Sequence, residues 1–214
     1  MYTWAAFSVT GVFIYSYLFM MTGKNRDLVL LFVFTVIAIY IHYYSMAAAF
    51  AANIFVFSYL ILTKNRKWLP HLLSLLLAAL LFLPWIFMFI VQIKKVQHSF
   101  WAPEVSLRDI YSCFTIPFTE QFWTSGYSTS LTVLMYCLIV ITVFLSFTKR
   151  MSGYRLVLWL SLSVFLGTLF VVTVISLFSQ PILSTRYVMT IVTMLVVGPV
   201  ILFIRIQTEW LKIV

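Results

Sequence analysis

Residues 28–63 read LVLLFVFTVIAIYIHYYSMAAAFAANIFVFSYLILT, with no Asp, Glu, Lys or Arg anywhere in the run. As one helix at 1.5 Å per residue it would reach about 54 Å, far beyond the ~30 Å hydrocarbon core of a bilayer. Two short spans satisfy that length, as does one span with a re-entrant piece. The only polar break is His42-Tyr43-Tyr44-Ser45. Placing the turn there gives spans near 28–41 and 46–63.

The same pattern continues outward. A first span runs from about Tyr2 to Met21, and its charges follow it in Gly23-Lys24-Asn25-Arg26-Asp27. No basic region precedes it and no convincing cleavage site follows, so it does not read as a secretory signal peptide. Lys64-Asn65-Arg66-Lys67 closes the 28–63 pair, and a span from Trp68 to Ile93 follows. Pro84 in its second half is expected to kink it, because proline removes a backbone hydrogen bond and crowds the preceding turn. Three further spans are expected near 129–147, 156–178 and 188–206.

Between the fourth and fifth spans lies a polar stretch, Lys94–Ser128. It holds three of the five acidic residues, Glu104, Asp109 and Glu120, among rings such as Phe100, Trp101 and Trp123. Ser106 with Asp109 three residues on suggests a capping box, opening an amphipathic interfacial helix from Leu107 to about Phe114. The fold class is therefore all-α: a polytopic helical membrane protein of about seven transmembrane helices. Residues 1–214 form one transmembrane domain, with 94–128 as an extracytoplasmic segment inside it.

Composition agrees. Charged residues are 9% and hydrophobic residues 64%, against roughly 25% charged in a soluble domain. The net charge of +9 fits basic loops that set orientation better than a nucleic-acid partner. With seven spans, Lys24, Arg26, Lys64, Arg66, Lys67, Lys149, Arg150, Arg155, Arg205 and Lys212 share one side, and Lys94, Lys95, Arg108 and Arg186 the other. The positive-inside rule puts the first group in the cytoplasm, the N-terminus outside and the C-terminus inside. Cys113 and Cys137 give no disulfide framework. His42, His71 and His98 lie far apart with no metal-ligand spacing.

On this topology the His42 break, the 94–128 segment and the Arg186 loop converge on the extracytoplasmic face. Aromatic rings suit sugar faces and lipid tails, and an arginine there suits a lipid phosphate. A carboxylate can deprotonate an acceptor hydroxyl. Each residue also has a plain role: Arg186 as a snorkelling anchor, His42 as a turn residue, Trp101 and Trp123 as belt residues, Asp109 as a cap. Glu104, after Pro103, has no evident structural task. His71 receives no function.

Several motifs, taken in order, resemble the downstream part of bacterial membrane glycosyltransferases of the GT-C superfamily, the group similar to protein O-mannosyltransferases and the lipid A aminoarabinose transferase. They are Met1-Tyr2 before a span, Tyr40-Ile41-His42-Tyr43-Tyr44, Leu83-Pro84-Trp85, Phe100-Trp101-Ala102-Pro103 with Ser106-Leu107, and Thr185-Arg186-Tyr187. The resemblance implies inverting sugar transfer from a polyprenyl-phosphate donor to an extracytoplasmic acceptor. It gives Arg186 a donor-phosphate role and leaves His42, Tyr43, Phe100, Trp101, Pro103 and Tyr187 lining the cleft. No cofactor is expected in this chain, although some relatives use a divalent metal ion. The family's catalytic acid lies upstream of Met-Tyr. The expectation is thus a fragment or half of a split enzyme, inactive alone and partnered by an upstream half encoded separately. Glu104 is only a weak catalytic candidate. Two other classes remain open: a transporter or flippase subunit, disfavoured by uncharged spans and no internal repeat, and a non-catalytic lipid-binding scaffold.

Overall fold

The computed structural model describes residues 2–97, 106–119, 125–148, 152–178 and 182–210. These residues form nine helices and no strand: α1 (Tyr2–Thr22), α2 (Asn25–Ile41), α3 (Tyr43–Leu62), α4 (Trp68–Gln97), α5 (Leu107–Thr119), α6 (Ser125–Ser146), α7 (Ser152–Phe178), α8 (Thr185–Val188) and α9 (Thr193–Trp210). Four of them have stretches long and apolar enough to cross a bilayer: Tyr2–Thr22, Tyr43–Leu62, Trp68–Met88 and Tyr154–Phe178. Helix α2 and the apolar parts of α6 and α9 are shorter. The surface carries many large apolar side chains, among them Leu62, Phe87, Phe144 and Phe178. A soluble protein seldom exposes so much, whereas a lipid-facing surface requires it.

Helix α3 is the centre of the bundle, packing on α1, α2, α4 and α7. Its Ala47, Ala48, Ala49, Ala51 and Ala52 are all buried. Small side chains let neighbouring backbones approach, which matters in lipid because association there depends on close packing. Gly167 of α7 shows how close the approach is: a Cβ there would lie 2.7 Å from Ala51 Cβ. Gly11 of α1 similarly leaves room for the Phe34 ring of α2.

The turns separate into two ends. At one, Gly23 (φ +62°) closes α1 in the left-handed conformation that favours glycine, its N–H bonded to Phe19 O. Thr22 Oγ1 donates to Asp27 Oδ2 at 2.5 Å, and Lys67 Nζ donates to Asn25 Oδ1 at 3.0 Å, joining the two basic loops. The other end holds the α2–α3 junction and the 182–188 segment.

Several expected boundaries differ: α4 runs past Ile93, α6 and α7 start at Ser125 and Ser152 rather than near 129 and 156, and α9 ends at Trp210 rather than near 206. The turn at residues 42–45 narrows to His42 alone. The helix after Ser106 runs to Thr119, past Phe114, whose carbonyl accepts from the Tyr136 hydroxyl of α6 at 2.5 Å. The last span does not begin continuously at 188. Short α8 gives way to i→i−3 turns through Met189–Val192, with Thr190 N–H on Tyr187 O and Ile191 N–H on Val188 O. The run Val188, Thr190, Ile191, Val192, Thr193 is β-branched, which weakens α-helix. The Thr190 hydroxyl also takes the Tyr187 carbonyl. Helix α4 continues through Pro84 to Gln97.

Candidate functional site

His42 is the joint of the site. Its backbone is extended (φ −161°, ψ 142°), and it ends α2 and caps α3 together. A one-residue break leaves helix-end groups unpaired, and four hydrogen bonds reduce the deficit. His42 Nδ1 accepts the Tyr44 N–H at 3.1 Å, acting as an N-cap. His42 O accepts the Met46 N–H at 2.9 Å. The Ser45 hydroxyl faces both Ala38 O (2.8 Å) and His42 O (2.7 Å). Because Nδ1 is the acceptor, the neutral ring carries its hydrogen on Nε2. Burial pushes the imidazole pKa down, towards that neutral form.

Around this ring the fold gathers tyrosines from three distant parts of the chain. His42 stacks on Tyr43 at 4.3 Å between centroids, and Tyr187 of α8 lies 5.0 Å from His42 and 5.4 Å from Tyr43, edge-on to the latter. Tyr2, at the start of α1, lies 6.0 Å from His42 and 5.6 Å from Tyr187. Tyr44 holds the arrangement from beneath. Its ring is fully buried, and its hydroxyl accepts the Ser184 N–H at 3.0 Å while facing the Ile182 and Ser184 carbonyls at 3.4 Å. The second residue of α3 thus fixes the chain entering α8.

Helix α5 packs against both α6 and α8. Its capping box forms: Asp109 N–H on Ser106 Oγ (3.3 Å), and Ser106 N–H on Asp109 Oδ2 (2.8 Å). The Ser106 hydroxyl donates to the same carboxylate, and these bonds hold Asp109 below the usual carboxylate range. Cys113 is buried against this end of the bundle, and burial pushes its thiol up to about 12, so it is a poor nucleophile.

Of the expected site residues, the structure brings His42, Tyr43 and Tyr187 together. The Arg186 backbone lies in α8 beside Tyr187; its side chain lies outside the described residues, as do Phe100, Trp101, Pro103 and Glu104. Two members of the cluster were not expected to line a cleft, Tyr2 and Tyr44. Successive residues at a helix start point in different directions, so Tyr43-Tyr44 could serve both the ring cluster and its foundation. His71 lies elsewhere, fully buried in α4 with Nε2 3.4 Å from Asn53 O and its ring against Phe19. Among the described residues no group of three His, Cys, Asp or Glu side chains could hold a metal ion.

No protein-family model matches the chain, and no curated protein or solved structure matches it.

Proposed function

We propose that the ring cluster at the His42 end is the donor-binding face of a membrane glycosyltransferase that uses a polyprenyl-phosphate-linked sugar. One observation carries the reading: His42, Tyr43, Tyr187 and Tyr2 converge on one end of an apolar bundle, with Arg186 next to Tyr187 in sequence. Arg186 is assigned to the donor phosphate, because a guanidinium matches phosphate oxygens in pairs. His42 Nε2–H supplies a neutral donor, and the tyrosine rings give faces for a sugar or for the first units of the tail. The chemical step is assigned to no residue. In this reading seven helices cross the bilayer, with the cluster at the extracytoplasmic face, the Lys24 and Lys67 loops in the cytoplasm, and the C-terminus inside.

The test is equilibrium binding of a polyprenyl-phosphate-linked sugar to the detergent-purified protein. Tyr187→Ala and His42→Asn are expected to weaken it several-fold, the second while keeping a capping side chain. Unchanged affinity in both would end the proposal.

A further inference from the structure

Five cations, Lys24, Arg26, Lys64, Arg66 and Lys67, stand where α1 turns into α2 and α3 into α4. The fold ties the two turns into one surface. Lys67 Nζ donates to Asn25 Oδ1 at 3.0 Å, at a residue flanked by Lys24 and Arg26. The Lys67 stem also covers Gly23, its Cγ 3.9 Å from where a Cβ would lie. Lys67 therefore acts as a strut, half-buried, with the other four cations exposed around it. Among the described residues no carboxylate pairs with any of the four. Asp27, the acid nearest in sequence, is buried and takes the Thr22 hydroxyl instead.

Lys64 is the most telling of the four. Helix α3 closes with Lys64 N–H on Ile61 O and Asn65 N–H on Leu60 O, both at 2.9 Å, the double bond pattern that needs a left-handed residue between them. Lys64 fills that place at φ +54°, where Gly23 fills the matching place after α1 at +62°. Glycine adopts this conformation freely, whereas a side chain crowds the following carbonyl. The α3–α4 turn thus carries backbone strain together with a charge that the turn itself does not use.

We infer that Lys24, Arg26, Lys64 and Arg66 form a headgroup site for an anionic phospholipid. A basic bias that only sets orientation requires a number of charges, not fixed positions. Here the Lys67 strut and the strained Lys64 fix where the charges stand. Apolar side chains lie directly beside them: Met21, Leu62 and Leu69 are exposed, and Trp68, 38% exposed, follows Lys67 in the chain. Tryptophan favours the headgroup level of a bilayer. A soluble polyanion would meet the cations and gain nothing from these apolar neighbours. A phospholipid uses both, with its phosphate among the cations and its chains along the helices. The inference does not depend on the sugar-transfer reading, since it concerns the opposite end of the bundle from the ring cluster.

The test follows the thermal unfolding midpoint of the protein, purified in an uncharged detergent, as lipid is added. Dioleoylphosphatidylglycerol is compared with dioleoylphosphatidylcholine, which has the same chains and no net charge. The anionic lipid should bind about tenfold tighter or more, and Arg66→Gln and Lys64→Gly should each cut that preference about fivefold, the effect of one basic side chain at an anionic surface. Lys64→Gly also relieves the strained turn, so it should weaken lipid binding without lowering the midpoint in detergent alone. Equal binding of the two lipids by the wild type, a preference unchanged in both variants, or polyglutamate raising the midpoint as much as phosphatidylglycerol would each overturn the inference.

Discussion

The two ends of the bundle are built in opposite ways. The Lys24–Lys67 end is made of local turns: a left-handed glycine, a threonine–aspartate bond five residues apart, and one long-range, solvent-exposed bond from Lys67 to Asn25. The His42 end is made of long-range contacts, with Tyr2, His42, Tyr43, Tyr44 and Tyr187 meeting across nearly the whole sequence. Sequence-local turns reverse the chain without requiring anything of the rest of the molecule. Rings gathered from remote segments need the whole bundle in register and are therefore suited to holding a site. The contrast predicts that substitutions in the bundle and at the His42 end cost more, in stability and in binding, than those at the basic end.

The largest effect is expected where the bundle sets that register. Gly167→Leu places a branched side chain where even a Cβ would lie 2.7 Å from Ala51 Cβ. It should lower stability in detergent by about 1–3 kcal/mol or more and weaken contacts among the rings, read by thermal unfolding and tyrosine absorbance. Tyr44→Phe should cost about 1–3 kcal/mol, because the Ser184 N–H loses its acceptor. Chemical denaturation would register it, and an unchanged midpoint would remove Tyr44 as the foundation of the cluster.

His42 should come next. Its replacement by Ala is expected to cost about 1 kcal/mol through loss of the cap, most of it recovered by Asn. Its pH dependence has a definite sign. The folded-state pKa lies below the free-histidine value, so the unfolded chain binds the proton more readily. Stability should be full above about pH 6.5 and fall as pH drops through that value towards the folded pKa. A His42→Asn titration should lack this component. The smallest effect belongs to the basic end: Lys67→Met should shift stability by no more than ~0.5 kcal/mol, since it breaks one exposed bond.

Much of the helical plan was legible because lipid imposes a simple demand, long apolar runs with every backbone group paired internally. The length of 28–63 required a break, and His42 was the polar place for it. The capping box at Ser106 and Asp109 was readable because its partners are three residues apart. Other features depended on packing. Nothing local in the sequence announces that Tyr2 meets Tyr187, or that Tyr44 is buried while adjacent Tyr43 stacks on His42. The interrupted start of the last span was present as a β-branched run, but apolar content hid it, since the same residues serve equally well in a span. Asn53 passed as one polar residue in an apolar run; that it ties α3 to α2 through Thr35 depends on how the two helices pack.

The central claim, that the His42 end binds the phosphate of a lipid-linked sugar, is tested most directly by a paired titration. Binding of a polyprenyl-phosphate-linked sugar would be measured for the wild type, Arg186→Ala and Lys67→Ala in the same detergent. We predict that Arg186→Ala loses about tenfold or more, as expected for a charge-assisted hydrogen bond, while Lys67→Ala stays within twofold of the wild type. Equal affinities for wild type and Arg186→Ala, or a larger loss from Lys67→Ala, would contradict the assignment of the donor site to the His42 end.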